Sequence, residues 1–320
     1  MKKISIVSGC YNEEGNIQDL YDSVISQLEK YKNIYDYEFI VIDNSSTDKS
    51  SYLLKKIASE DKNFKVIINS KNFGPLKSPF YAMQKTTGDA MIYLASDLQD
   101  PPELIPQLIK KWEDGYKIAV GIKASSCESK KMWRVRQFFY KLMDLIQDQD
   151  NKILENFTGY GLYDKQIVEL MRQTDDPNPY IKSFISDVGF EIAQIEFVQP
   201  KRKSGKTNFN FFALYGYAIN LITKHSILPI RIATLLGFVL SIVSLLTAIV
   251  YLIYKLFNWE GFSMGMAPVV IGLFFFSAVQ LLFAGIIGEY IGAIYKRVDK
   301  KPLVIEKERI NFEEKCEIKL

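Results

Sequence analysis

Histidine is almost missing from this chain: the 320 residues contain one, His225. Cysteine is sparse as well. Cys10, Cys127 and Cys316 lie far apart, are odd in number and form no CxxC pair. Neither a disulfide framework nor a zinc site is indicated, and a reducing compartment fits. Charge of one sign is not in excess. The net charge of +3 is too small to argue for a nucleic-acid partner, so local basic clusters matter more. The N-terminal stretch MKKISIVSGCYNEE starts with lysines but has no long apolar run behind them. No secretion signal is read there, and the N-terminal domain is expected to stay in the cytoplasm.

What is present in the first half is alternation. Ile4–Ser8, Glu38–Ile42, Lys65–Asn69 and Ala90–Ala95 read as strands. Glu14–Lys30, Ser51–Ser59, Ser78–Thr86 and Pro102–Trp112 read as helices. Strands separated by helices predict βαβ units, hence an α/β domain with a mostly parallel sheet. Residues 123–150 read as a long polar helix carrying Arg134 and Arg136, and residues 156–198 as further short strands and loops.

Open parallel sheets bind ligands beyond the carboxyl ends of their strands. Polar clusters fall at those ends here. Strand one runs into Tyr11-Asn12-Glu13-Glu14, strand two into Asp43-Asn44-Ser45-Ser46-Thr47-Asp48, and a later strand into Ser96-Asp97-Leu98-Gln99-Asp100. Asp and Asn also simply form turns at strand ends. Three such clusters on one sheet edge point instead to a site. Lys71-Asn72-Phe73-Gly74 either lines that site or forms a plain turn.

The second half is different in kind. Ile232–Tyr254 is 23 residues without a charge, and Gly261–Gly288 is a second such run of 28. At about 1.5 Å per residue, each can cross a hydrocarbon core about 30 Å thick, and two transmembrane helices are expected. Trp259 lies in the short loop between them, and Lys224, Arg231, Lys296, Arg297, Lys300 and Lys301 flank the outer ends. The positive-inside rule then puts both outer ends, and the catalytic domain, in the cytoplasm. Asn208–Ile230, rich in Phe and Tyr, reads as amphipathic helices at the interface. Ala284, Gly288 and Gly292 make a small-residue stripe that suggests a homo-oligomer through the membrane part. The expected organisation is a catalytic domain over 1–207, interface helices over 208–231, a two-helix membrane domain over 232–295, and a cytoplasmic C-terminal tail over 296–320.

These motifs resemble family 2 glycosyltransferases of the GT-A fold. More narrowly, the chain is similar to the dolichol-phosphate mannose synthase and bactoprenol glucosyltransferase branch. The run Asp97-Leu98-Gln99-Asp100-Pro101-Pro102-Glu103 carries the resemblance, with Ile287-Gly288-Glu289-Tyr290-Ile291-Gly292 and Lys301-Pro302-Leu303. The similarity extends to about residue 305. It implies a nucleotide-sugar donor, a divalent metal (Mg2+ or Mn2+), a polyprenyl phosphate acceptor and inversion at the anomeric carbon. Tyr11, Glu13 and Asp43 match donor-nucleotide positions, and Asn44, Gly74 and Ser96 join them as donor-side candidates. Asp97 and Gln99 match the metal pair. Arg136 and Arg202 look similar to the arginines that hold the acceptor phosphate. The sequence departs from the pattern at Ala95, where the family often has a further aspartate, and at Asn44, where it often has a second one.

The chemistry is consistent with the composition. A departing diphosphate needs a hard cation, and Asp97 offers a carboxylate for it. A polyprenyl phosphate already carries its nucleophilic oxygen, so no strong general base is needed. His225, beside the apolar segments, is read as structural. The basic loop Lys201-Arg202-Lys203-Ser204-Gly205-Lys206 suits a lipid phosphate, since arginine pairs with phosphate bidentately, or else attracts anionic lipid in general. UDP-glucose is the first donor choice, with UDP-GlcNAc, UDP-galactose and GDP-mannose behind it. The competing readings are a processive polysaccharide synthase and a non-catalytic membrane scaffold. The first lacks support, because no Gln-x-x-Arg-Trp motif or additional apolar run is found. The second draws on Ala95 and Asn44.

Overall fold

A computed structural model of the chain describes residues 1–125, 154, 156–200, 228–257, 266–298 and 301–312. The chain divides into two units, 1–140 with 151–208 and 301–320, and 141–150 with 209–300.

The first unit is built on one eight-stranded sheet. Its strands are β1 (Lys2–Cys10), β2 (Tyr35–Asp43), β3 (Phe64–Asn69), β4 (Ala90–Tyr93), β5 (Ile118–Ser125), β6 (Phe157–Asp164), β7 (Ile192–Val198) and β8 (Glu306–Ile310), in the order β7-β5-β6-β4-β1-β2-β3-β8. The pairs β4–β1, β1–β2, β2–β3 and β5–β7 are parallel, while β5–β6, β6–β4 and β3–β8 are antiparallel. The expected α/β architecture with a mostly parallel sheet is therefore the observed one.

Helices α1 (Ile17–Leu28), α2 (Ser50–Glu60), α3 (Lys77–Gln84) and α4 (Ile105–Glu113) make the connections, as the periodicity predicts. Central strands are apolar on both faces because helices cover both. Ile4, Ile6, Phe39, Val41 and Val66 face one core with α1, α2 and α4. Val7, Ile40, Ile42, Ile67 and Met91 face the other with α3. This is the continuous apolar patterning that parallel strands require. Gly9 shows how tightly α3 is seated: a Cβ there would lie 2.7 Å from the Pro79 ring.

Three expectations for the first unit need revision. Lys123–Ser125 of the expected long helix are the end of β5, where they continue its pairing with β7, and residues 126–150 lie outside the described residues. The 156–198 segment contains two helices, α5 (Lys165–Gln173) and α6 (Ile181–Asp187), between β6 and β7. The segment read as a C-terminal tail supplies β8, on the free edge of β3.

The second unit contains α7 (Leu228–Phe257), 30 residues, and α8 (Met266–Val298), 33 residues. Leu228–Arg231, assigned to interface helices from sequence, are the start of α7; the rest of that stretch lies outside the described residues. Among the described residues one helix is long and apolar enough to cross a membrane: α8, over Phe275–Gly292. Exposed Leu235, Phe238, Val250, Leu273, Leu281 and Ile291 line the two helices. So much uncovered apolar surface is foreign to a water-exposed helix pair.

Candidate active site

The strand order reverses at β1. From β1 the chain moves outward through β2 to β3, then returns to place β4 on the other side of β1. The crevice of such a sheet opens where successive connections diverge. Four loops rise from the carboxyl ends of β4, β1, β2 and β3 on this edge, and hydrogen bonds join each to its neighbour.

Across the reversal itself, the Ser96 hydroxyl donates to Gly9 O at 2.8 Å. Between the β1 and β2 loops, Asn44 N donates to Cys10 O at 2.8 Å and Asn12 N to Ser46 Oγ at 2.9 Å. Thr47 N donates back to Asn12 Oδ1 at 2.8 Å, Glu13 N to Ser50 Oγ at 2.9 Å and Lys49 N to Glu14 Oε2 at 2.9 Å. Asn12 and Ser45 both sit in the left-handed region, at φ 56° and 64°. Such conformations persist where the surroundings fix them, and they gather at functional sites.

Asp43 ends β2 within this lacing. Its Oδ1 accepts from Ser46 N at 3.0 Å and from the Ser46 hydroxyl at 2.5 Å. Its Oδ2 is buried and has no hydrogen-bond partner among the described residues. Burial pushes its carboxyl up, against the pull of the Ser46 bonds and of the nearby Ser51 hydroxyl. A buried acceptor left open costs free energy, on the order of 1–3 kcal/mol, until a donor meets it. Glu13 is also buried, with Oε2 accepting from Asn16 Nδ2 at 2.5 Å, while Tyr11 on the same loop is half-buried.

The loop after β4 turns tightly. Leu98 has φ 59°, and Gln99 N donates to Asp97 Oδ1 at 3.2 Å. Asp100 closes the turn from inside, accepting from Ala95 N at 3.1 Å and from the Thr158 hydroxyl of β6 at 3.2 Å. Tyr160 adds a second tie to β6 by donating to Pro101 O at 2.7 Å. Burial pushes the Asp100 carboxyl up to about 6, and the neighbouring Asp97 charge adds to it. With Asp100 turned inward, Asp97 and Gln99 remain half-buried at the crevice.

Among the described residues no group of three or more His, Cys, Asp or Glu is arranged to hold a metal ion. The donor set on the β4 loop is one carboxylate and one amide. That fits an ion shared with a substrate diphosphate and water, the habit of Mg2+, and does not fit an all-protein cage.

Of the candidates from sequence, Tyr11, Glu13, Asp43, Asn44, Gly74, Ser96, Asp97 and Gln99 all lie on these four loops of one edge. Arg136 and Arg202 lie outside the described residues. The Asn44 amide is bonded to the β3 loop, and the Ser96 hydroxyl donates to Gly9 O of β1. Sequence reasoning placed Asn12, Asn72 and Asp100 only as members of polar clusters and gave no site role to Asn69 or Thr158. Their contribution is pairing across loops, for which spacing along the chain carries no signal.

The crevice at the sheet reversal, its acidic turn and the likeness to known proteins define a glycosyltransferase. Residues 5–171 match the family described as Glycosyl transferase family 2. The chain belongs to that family. It is 31% identical to an uncharacterised glycosyltransferase of Synechocystis sp., over 95% of this chain and 94% of the relative. It is 30% identical to the bactoprenol glucosyl transferase of Shigella phage SfX, over 96% of this chain and 99% of the relative. Among solved structures it is similar to glucosyl-3-phosphoglycerate synthase from Mycobacterium tuberculosis in complex with Mn2+, UDP and phosphoglyceric acid, with TM-score 0.49, 20% identity, and coverage of 69% of this chain and 76% of that one.

Proposed function

We propose that this glycosyltransferase moves a hexose, glucose from UDP-glucose in the first instance, onto a polyprenyl phosphate at the cytoplasmic membrane surface. The observation that carries the donor half is the open Oδ2 of Asp43 at the sheet reversal. It is a buried acceptor waiting for an N–H, such as a nucleobase presents. Full-length likeness to bactoprenol glucosyl transferases supports the acceptor half.

In this reading the β1 and β2 loops, with Tyr11, Glu13 and Asp43, hold the nucleoside. Asp97 and Gln99 would hold Mg2+ or Mn2+. Lewis-acid stabilisation of the departing diphosphate is the chemistry such an ion supplies when bound. Arg136 and Arg202 are assigned to the acceptor phosphate, whose oxygen attacks the anomeric carbon with inversion. UDP-GlcNAc, UDP-galactose and GDP-mannose are the alternative donors. The two-helix unit is assigned to the membrane, and association of copies through the Ala284, Gly288 and Gly292 stripe belongs to the same proposal.

The test is a panel of labelled nucleotide-sugars incubated with the detergent-solubilised chain, Mg2+ and undecaprenyl phosphate, followed by analysis of the lipid product. UDP-glucose is expected to give a glucosylated lipid. Asp97→Ala is expected to lower the rate by about 100-fold to 1000-fold, the usual scale for losing one electrostatic stabiliser, while membrane insertion persists. Full activity of that variant removes Asp97 from the metal site, and no lipid product with any donor overturns the acceptor assignment.

A further inference from the structure

Asn44 stands where the family often carries an aspartate, and the structure gives it work that an aspartate cannot do. Its Oδ1 accepts from Phe73 N at 2.9 Å and from Asn69 Nδ2 at 3.0 Å. Its Nδ2 donates to Asn72 Oδ1 at 2.8 Å and to Gly74 O at 3.2 Å. A primary amide has two acceptor sites and two N–H donors, so these four bonds use its whole capacity. The orientation of the amide is not arbitrary. Phe73 N can only donate and Gly74 O can only accept, so one side of the amide must be oxygen and the other nitrogen.

The bonds converge on residues 72–74, where the Phe73 ring also packs against the second core. Gly74 has φ 94°, and beyond its chain neighbours nothing lies within 4 Å of where a Cβ would stand. Asn72 Oδ1 also accepts from Gly74 N at 2.8 Å, which closes a small ring of bonds around the turn. Behind it, Asn69 Nδ2 donates to Ser78 Oγ of α3 at 2.9 Å and so anchors the ring to a buried helix. Asn44 itself is 5% exposed.

We propose that Asn44 is a positioning residue for the nucleotide-sugar: it latches residues 72–74 into the wall of the donor crevice and does not itself bind the donor. This rests on the reading of the crevice edge as the donor site. Two consequences separate it from direct contact. First, the change toward the common family residue is harmful. In Asn44→Asp the carboxylate keeps the two accepted bonds but loses both donated ones, and it faces Asn72 Oδ1 and Gly74 O as like-signed oxygens. Second, Asn72 uses only its oxygen in the ring, so Asn72→Asp keeps the ring closed whereas Asn72→Ala opens it.

The experiment combines amide hydrogen exchange of the solubilised full-length chain with donor kinetics. Asn72→Ala, which removes the acceptor of Gly74 N, and Asn44→Asp, which releases Asn72 Oδ1 and Gly74 O, are expected to speed exchange at Gly74 by about tenfold or more, the scale of a lost hydrogen bond to a part-buried group, with β1 and β2 unchanged; Phe73 N keeps its acceptor in both variants. Asn72→Asp is expected to keep wild-type protection there. In transfer assays Asn44→Asp should raise the donor KM by a similar factor and leave kcat within about twofold. Wild-type protection of Gly74 in Asn44→Asp, or a donor KM equal to or below wild type, overturns the proposal. If Asn44→Asp does not fold, the exposed Asn72 decides alone, and unchanged exchange in Asn72→Ala refutes the latch. The exchange arm uses no donor, so it tests the latch even if no nucleotide-sugar proves to be a substrate.

Discussion

Glu38 sits on β2 directly across from Ser5 of β1, toward the amino-terminal ends of the strands and away from the crevice. It is 1% exposed yet charged. Its oxygens accept from the Ser5 hydroxyl at 2.6 Å, Thr87 N at 2.6 Å and Lys65 Nζ at 2.7 Å. Burial pushes its carboxyl up, but the bonds from Lys65, Ser5 and Thr87 outweigh it and hold the group down at about 2, against an ordinary 4.5. A carboxyl depressed in the folded state stabilises fully above its unfolded value. That stabilisation is lost as pH falls from about 4.5 toward 2. Glu38→Gln is therefore expected to cost about 3 kcal/mol at pH 7. Thermal unfolding of the solubilised chain checks this at pH 7 and pH 3. The gap between wild type and variant should narrow at the lower pH, and a gap independent of pH would rule out this network as the acid-sensitive element.

At the scale of elements, β8 is the instructive case. Its sequence, Glu306-Lys307-Glu308-Arg309-Ile310, lacks the β-branched alternation that marks a strand, so it reads as a solvated tail. It is a strand because β3 offers an unpaired edge: Val66 pairs with Ile310, Ile67 with Arg309 and Ile68 with Glu308. The charges then serve as edge protection, discouraging further pairing. A single side chain secures its end. Asn311, in the left-handed region at φ 62°, donates to Ala58 O at 2.6 Å, Phe64 O at 2.8 Å and Asp61 O at 3.2 Å. Asn311→Ala removes all three bonds and strains the backbone, so it should destabilise the first unit by about 2 kcal/mol. Thermal unfolding measures that, and faster proteolysis beside β8 should accompany it. The contrast with β1 to β4 explains what was legible. Those strands are apolar runs ending in polar clusters, signals local to the sequence, and they placed Asp43, Asp97 and their neighbours on one edge. The Asn44 ring, the tie of Asp100 to Thr158, and β8 depend on partners 25 to about 250 residues away, beyond the span of a helical or strand periodicity.

For the whole molecule, β8 sets a condition on topology. It pairs with β3, so residues 306–310 must lie on the same side of any membrane as the catalytic sheet. Between residue 200 and β8 the chain must then cross an even number of times. The helix α8 has the length and apolar character to cross over Phe275–Gly292. If it does, a second crossing is required, and α7, at 30 residues, is the segment long enough to supply it. The expected arrangement is a hairpin whose 258–265 connection emerges on the far side, consistent with the basic residues at its outer ends. Single cysteines introduced at Gly261 and Lys307, in a chain with Cys127 and Cys316 replaced by serine, test it with a membrane-impermeant thiol reagent on intact cells. Gly261→Cys should label at once, and Lys307→Cys only after permeabilisation. Equal labelling of the two before permeabilisation would overturn the hairpin and leave α7 and α8 on the surface of the bilayer.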